Sequence, residues 1–412
     1  MTDVVLEVEN LVKHFLVNLS IVQRALLGSV AVHAVDGVSF SLHEGEILGL
    51  VGESGSGKTT VGRTVLRLLE PSEGVIRFRG TDITHMKESR LRPMRKRMQI
   101  IFQDPHAALN PAMTIGQSIA DPLVIHEEAK EAEAKAAALR IMTEVGLSPA
   151  EQLYGKYPAD LSGGQKQRAV IARAMILNPE LIVADEPVAM LDMSIRAKIL
   201  ELLLDLRRRY HLAFLFITHD LATAKFLCDR IAIMYLGRIV ETGPSAKIFE
   251  GPKHPYTKAL IAAIPVPEPG RKRAGSLPRG EIPDAIHPPA GCRFHPRCPV
   301  ALPTCGWEGR DFIDYLEQRR LDMAQAKADE AALGLAEEWR AAGLQASKRK
   351  RDEDPSATAT YIRSTVSEAG GAMASAVEAV EVEDGRAIVR FRPPDPLFPK
   401  DVEGCTVECL LY

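Results

Sequence analysis

The chain has 412 residues, with 51 Lys+Arg against 54 Asp+Glu for a formal net charge of −3, 46% apolar residues and 25% charged ones. These ordinary globular proportions exclude wholesale disorder and a fibrous protein, and the charge balance lacks the basic excess of a nucleic-acid binder. No run of about 18 apolar residues is present to cross a membrane, MTDVVLEVEN lacks the basic-then-apolar pattern of a signal peptide, and six cysteines are too few for a disulfide scaffold, so a soluble, intracellular chain of about two to three domains is expected.

In chain order, VVLEVENLV, GEILGLVG, GVIRFRG, RMQIIFQ, LIVADEP, FLFITHD and RIAIMYLG read as strands, several of them apolar throughout as buried parallel strands are. Helical patterns lie between them. After Pro111, the residues Ala134, Ala138, Ile141, Met142 and Val145 form one helical stripe that Gly146 is placed to stop. This predicts an α/β domain over residues 1–250 with a helical subdomain at about 111–160. Residues 264–290 are rich in proline and read as an extended connector inside a region 251–310 that ends in a cysteine-bearing loop. In residues 311–412, the Ala/Glu/Leu/Arg/Gln-rich stretch 311–342 reads as a helix that Gly343 ends, and KRKRDED with the Ser/Thr stretch after it reads as a solvated linker. AVEAVEVE and RAIVRFR around Asp384-Gly385 read as a hairpin. No internal repeat is seen.

Chemistry concentrates in three places. GESGSGKT, from Gly52 and Glu53 through Ser54, Gly55, Ser56 and Gly57 to Lys58 and Thr59, follows an apolar strand and opens a helical run. Its glycines let backbone N–H groups wrap a triphosphate at a helix N-terminus. Lys58 would reach the β/γ-phosphates, Thr59 would bind Mg²⁺, and Thr60 could touch the α-phosphate. LIVADEP ends a strand with Asp185 and Glu186, one acid to hold the Mg²⁺ shell and one to accept a proton from attacking water. Leu161, Ser162, Gly163, Gly164 and Gln165 open a helix that Ser162 can cap, a second anion-binding terminus more than a hundred residues from the first. Both can grip one γ-phosphate if they come from different subunits.

With ITHD downstream, these residues resemble the ATP-binding subunit of an ABC transporter over about residues 1–250. The fold that this resemblance implies is a P-loop NTPase α/β domain with a helical subdomain. It also implies a head-to-tail dimer in which the LSGGQ of one chain closes the P-loop site of the other. It implies roles for Gln103 in IFQDP as sensor of Mg²⁺ and the γ-phosphate, Glu186 as polariser of water, Asp185 as Mg²⁺ support and His219 as holder of the γ-phosphate. Phe15 in VKHF is the candidate for the aromatic that stacks on adenine; a core Phe is the other reading. Asp192 matches the family's interface aspartate, but PVAMLD stands where PVSALD is usual, so Ala189 and Met190 alter a segment that crosses the dimer interface.

GPKHPYTKALIAAIP followed by GCRFHPRCP resembles the C-terminal region of oligopeptide/dipeptide importer ATPases. The stretch from Phe15 to Val38 resembles one of the two ATPase types that form heterodimers there. The implied partners are two transmembrane permease subunits, a similar but non-identical ATPase chain (or a second copy of this one) and an extracytoplasmic substrate-binding protein, with no nucleic acid. The implied place is the cytoplasmic face of the cell membrane. Cys292, Cys298 and Cys305 have a C-x₅-C-x₆-C spacing that fits neither ferredoxin runs nor a C-x₂-C zinc pair, yet three cysteines in one Pro-rich loop suggest a soft-metal site. The resemblance implies a [4Fe–4S] cluster with a fourth ligand at Cys409, with Cys405 as its competitor. Three-ligand occupancy, zinc and plain buried thiols stay open, and Cys228 reads as core. Import of nickel, glutathione or oligosaccharide would use the same ATPase. A soluble ABC ATPase of translation or DNA repair would call for a basic patch or a second cassette, and a redox sensor would rest on the Cys loop alone.

Overall fold

The computed structural model describes residues 3–17, 30–126, 128–264 and 281–412. They form two compact units, divided between Gly251 and Pro252. Most of the 264–290 connector and the middle of the Phe15–Val38 stretch lie outside the described residues; residues 281–290 carry no helix or strand.

The first unit contains strands β1 (Val4–Leu16), β2 (Ala31–His43), β3 (Ile47–Val51), β4 (Glu73–Phe78), β5 (Thr81–Asp82), β6 (Met98–Ile101), β7 (Leu181–Asp185), β8 (Ala213–Thr218), β9 (Arg230–Tyr235) and β10 (Arg238–Pro244). One sheet runs β10-β9-β3-β8-β7-β6 and is parallel except at the β9/β10 edge. β3, β7 and β8 are buried at every residue, the reason their sequences show no alternation. A second, antiparallel sheet runs β2-β1-β4-β5. Its apolar face, Leu6, Val8, Val38, Ile76 and Phe78, shares one core with Leu48, Leu50, Val183 and Leu215. β2 was not read as a strand from the sequence. Its apolar alternation is interrupted by Asp36 and Gly37 and by register slips against β1, so only half of the period-2 signal survives.

Helices Ile115–Ile125, Glu131–Glu144 and Ala150–Tyr154 make up the helical segment. The stripe Ala134, Ala138, Ile141, Met142 and Val145 is buried as expected, and Gly146 takes the left-handed conformation just past the helix end.

The second unit departs from its reading. Residues 311–342 are not one helix: Gly309–Arg319 and Met323–Leu333 are separate, and Gly343 turns a hairpin between β11 (Trp339–Ala342) and β12 (Gln345–Lys348). The Ser/Thr stretch is not a linker. Asp354 accepts hydrogen bonds from Ser356 and Ala357 N–H and starts the helix Pro355–Ala369, whose Ala359, Ile362 and Val366 are buried. The expected hairpin forms from β13 (Val377–Glu383) and β14 (Arg386–Phe391), giving a sheet β11-β12-β14-β13. Phe312 and Trp339 meet edge to face at 5.4 Å in a core of their own. Each such ring contributes about 2–3 kcal/mol of burial, so the segment is a folded element rather than a spacer. β15 (Lys400–Val402) and β16 (Cys405–Val407) form the last hairpin.

His254 of HPY caps the helix Pro255–Ala262: its Nδ1 accepts from Tyr256 N–H at 3.1 Å, and both residues are fully buried against Phe294 of the cysteine loop. Burial pushes the imidazole pKa down to about 3. An unfolded histidine titrates near 6.5, so the unfolded chain binds more protons between these values. The stabilising contribution is therefore complete above about pH 6.5 and is lost as pH falls toward 3, at up to about 1.4 kcal/mol per pH unit. His254→Asn keeps an acceptor at the cap but cannot titrate. Melting temperatures between pH 7 and 4 should fall less steeply for this variant, and an unchanged slope would refute the assignment.

Candidate functional site

β3 ends buried at Val51 and delivers the chain into the glycine loop, after which the helix Lys58–Val65 begins. Two glycines are required by close approach. A Cβ at Gly57, which sits at φ 101°, would lie 2.0 Å from Ala34 O, and one at Gly52 would lie 2.1 Å from Met234 O. The loop is thus buttressed by backbone from β2 and β9, a feature with no side-chain signature in the sequence. Lys58 Nζ donates to Gly52 O at 2.9 Å and Glu53 O at 2.8 Å and lies 3.3 Å from Ser56 Oγ. Burial lowers its ammonium pKa, opposed by the carboxylates of Glu186, Asp185 and Glu53.

Thr59 Oγ1 donates to Asp185 Oδ1 at 2.9 Å. Asp185 is buried and its carboxyl is pushed upward by desolvation, which the Thr59 hydrogen bond only partly offsets. A divalent cation beside this hydroxyl–carboxylate pair would supply the charge that burial withholds, so the donor set suits Mg²⁺. Glu186 follows with φ 47°, a left-handed backbone that costs a non-glycine residue about 1–2 kcal/mol. Its N–H donates to Ile217 O at 3.0 Å, which fixes the bend. The bend presents Glu186 Oε2 to Gln103 Nε2 at 3.3 Å and to His219 Nδ1 at 3.0 Å. Gln103, Glu186 and His219 follow the carboxyl ends of β6, β7 and β8, which are adjacent in the sheet. That edge is where open α/β sheets bind ligands.

The other expected residues are placed as follows. Ser162 caps the helix Gly163–Met175 in a reciprocal box with Gln165: Ser162 N–H donates to Gln165 Oε1 at 2.9 Å and Gln165 N–H to Ser162 Oγ at 3.4 Å. Leu161 is buried, and a Cβ at Gly164 would lie 2.8 Å from Ile195 Cγ2, so that glycine admits the next helix. Asp192 caps the helix Met193–Tyr210 by accepting from Ile195 N–H, which with the Ser194 hydroxyl lowers its carboxyl pKa. Met190 and Met193 beside it are strongly exposed. Phe15 is not core. It is exposed near the end of β1, with Lys13 Nζ 5.0 Å above its ring.

In the second unit, Cys292 and Cys298 each lie within electrostatic reach of Cys305 and Cys409, and of one another. Burial pushes the Cys292 thiol up to about 12 and the Cys298 thiol up to about 11. Cys292 N–H closes the loop onto Cys305 O at 2.8 Å, and His295, seated on Trp307, holds Cys292 O through Nδ1 at 2.8 Å. Cys405 lies buried on β16, within electrostatic reach of Lys253. Cys228 is buried against Gly49 in the first unit.

A glycine cradle on a helix N-terminus, with an acid at the end of another strand of the same parallel sheet, is the arrangement of a P-loop ATPase. Residues 35–189 match the ABC transporter family, and residues 240–305 match the C-terminal region of oligopeptide/dipeptide transporters. A probable peptide ABC transporter ATP-binding protein of Sinorhizobium fredii is 45% identical over 305 residues, covering 74% of this chain and 85% of its own. An oligopeptide transport ATP-binding protein of Bacillus subtilis is 46% identical over 310 residues, covering 74% of this chain and 92% of its own. A solved ATP-binding cassette, a dimer in a post-hydrolysis state with ADP and phosphate, is 27% identical with a TM-score of 0.51, covering 58% of this chain and 98% of that one. The chain belongs to the ABC transporter family of ATP-binding, ATP-hydrolysing subunits, whose nucleotide and ion are ATP and Mg²⁺.

Proposed function

We propose that this chain is the ATP-hydrolysing subunit of an importer that carries peptides inward, seated on the cytoplasmic face of the cell membrane beneath two permease subunits fed by an extracytoplasmic substrate-binding protein. The ATPase half of the reading is carried by the convergence of Gln103 and His219 on Glu186 beside the Thr59–Asp185 pair. The peptide half is supported by the match at residues 240–305 and by the names of the relatives. Among the described residues no helix is long and apolar enough to cross a membrane, which fits a subunit that borrows its pore from partners.

Residues 52–60 bind the triphosphate through backbone N–H groups, with Lys58 turning from the loop carbonyls to the β/γ-phosphates. Thr59, Asp185 and Gln103 would hold Mg²⁺, which when bound would supply charge neutralisation at the phosphate oxygens. Glu186 takes the proton of the attacking water, whose oxygen bonds to the γ-phosphorus as the bond to the bridging oxygen of ADP breaks. His219 holds Glu186 in place and steadies the transferring charge. Phe15, exposed at the end of β1, offers a face to adenine. Leu161 to Gln165 close the site of a partner ATPase chain, similar or identical, with Asp192 at the same interface. A cavity lined by Ile100, Phe102 and Val170 together with Gln99, His126 and Arg173, between the strand leading to Gln103 and the helical segment, offers a mixed apolar and polar seat for a permease helix.

Cys292, Cys298, Cys305 and Cys409 suit a [4Fe–4S] cluster, because a metal is what would draw buried thiols of raised pKa into the thiolate form. An anaerobic preparation should carry about four iron and four sulfide per chain. Cys409→Ser should lose them and Cys405→Ser keep them; the reverse pattern, or zinc instead of iron, would overturn this ligand set. The test of the whole reading is affinity purification of the chain from its own membranes. Two multi-span permease chains with a peptide-binding protein are expected, and ribosomes or DNA as companions would overturn it.

A further inference from the structure

Three side chains that the nucleotide reading leaves unused meet where β1 and β2 pair. His14 Nε2 lies 2.9 Å from Asp36 Oδ1, and His33 Nδ1 lies 3.2 Å from Asp36 Oδ2. The two imidazoles face each other with ring centroids 4.0 Å apart. One ligand atom from each of the three residues falls within 4.8 Å of the other two, and all three are half-buried.

The backbone explains the meeting. Residues three apart on a regular strand point to opposite faces, which would separate His33 from Asp36. Here the pairing steps from Lys13↔Val35 to His14↔His33, which leaves Ala34 as an extra residue in β2. Such a bulge restores both residues to one face, and His14 stands directly across from His33.

We propose that His14, His33 and Asp36 bind one divalent ion of the zinc class, and that the bound ion stiffens the adjoining phosphate loop. Zinc takes imidazole nitrogen and carboxylate oxygen at about 2.0–2.2 Å, so two ligands on a tetrahedral ion lie about 3.4 Å apart. One ligand atom from each residue already lies within 4.8 Å of the other two, so the side chains need to draw together by at most about 1.4 Å to reach that spacing. Two imidazoles select a zinc-class ion over the Mg²⁺ of the nucleotide, which prefers oxygen donors throughout. Among the described residues three ligands are offered, which leaves a fourth position that water would take.

Two short routes connect this site to the phosphate loop. The bulged residue presents its carbonyl to the loop: a Cβ at Gly57 would sit 2.0 Å from Ala34 O. In addition, Asp36 N–H donates to Gly237 O at 2.9 Å, and Gly237 N–H donates to Ser56 O at 2.9 Å. Fixing Asp36 and the bulge therefore fixes backbone on which the cradle rests, which lowers the ordering cost of nucleotide binding. By linkage, nucleotide must tighten the ion in the same proportion. His14 also precedes Phe15, so the ion would hold the strand end that offers the adenine platform.

The test titrates metal-free full-length chain with Zn²⁺ against a colorimetric chelator, beside His33→Gln and His14→Gln. Any zinc that the C-terminal thiols of the stripped chain take up is common to all three proteins, so the difference isolates this site. Each variant should bind one zinc fewer, or bind it at least about ten-fold more weakly, at an unchanged melting temperature without metal. Equal zinc uptake by all three proteins would overturn the site. Zinc-loaded, desalted wild type should then bind a fluorescent ATP analogue at least about three-fold more tightly than the stripped protein, and His33→Gln should show no such gain. Unchanged or weaker binding in the loaded wild type would overturn the linkage. The linkage rests on the nucleotide reading of residues 52–60, whereas zinc uptake does not. A Lys58→Ala control separates the two failures, because loss of the nucleotide site would abolish analogue binding with and without zinc alike.

Discussion

Glu186→Gln is expected to lower ATP hydrolysis by about 100-fold or more while ATP stays bound, trapping a closed pair of ATPase subunits. The substitution keeps the side chain's length and one acceptor oxygen, so Gln103 Nε2 can still be met. It removes the carboxylate that would accept the proton from the attacking water. The bend argues for the same residue. Glu186 is held at φ 47° by its N–H to Ile217 O at 3.0 Å, a strained backbone that orients one carboxylate toward both Gln103 and His219. The measurement is single-turnover hydrolysis together with nucleotide retention and subunit mass after gel filtration. Hydrolysis at the wild-type rate would remove Glu186 as the base. A rate loss accompanied by loss of ATP binding would instead make it a ligand-binding group. His219→Ala should give a smaller rate loss than Glu186→Gln, because His219 touches the carboxylate at 3.0 Å while its ring is largely exposed.

How much of this was legible follows from which interactions are local. β3, β7 and β8 are buried on both faces, so unbroken apolar runs announce them, and the glycine loop announces itself because phosphate binding constrains consecutive residues. β2 did not announce itself, since its register slips against β1 scramble the alternation that marks a half-buried strand. The backbone buttress of the loop, Ala34 O against Gly57 and Met234 O against Gly52, is carried by main chain and leaves no residue pattern. Nor does a sequence mark the left-handed turn at Glu186, which tertiary hydrogen bonding imposes on a residue with no preference for it. In the second unit, composition suggested a helix and a linker, whereas the Asp384-Gly385 turn gave the β13/β14 hairpin that forms. The error lay in treating Gly343 as a helix stop and the Ser/Thr run as solvated, when Trp339, Ile362 and Phe391 bring those segments together in a shared core. The nearness of Cys409 to the Cys292 loop spans about a hundred residues, beyond any spacing rule, and was expected only through the family resemblance.

Lys58→Ala should weaken ATP binding by about 100-fold or more, equivalent to about 2.7 kcal/mol. Lys58 is 5% exposed, and its ammonium already sits among Gly52 O, Glu53 O and Ser56 Oγ, poised at the mouth of the cradle rather than in bulk water. A charge-assisted contact made by a cation already stripped of most of its water gains more than one made at a surface, where solvent competes. The loss is compounded by what remains. Glu186, Asp185 and Glu53 all act on Lys58, and without it their carboxylates face the polyphosphate with one positive charge fewer between them. Asp185, whose carboxyl burial already pushes upward, would rise further and become a poorer partner for Mg²⁺. Lys58→Met separates charge from packing, since it keeps an unbranched apolar stem in the same space. The two variants should bind ATP equally poorly and melt within a few degrees of wild type, as read by calorimetric titration and circular dichroism. Wild-type affinity in Lys58→Met would mean that the loop backbone alone holds the phosphates, and the role assigned to the ammonium would fall.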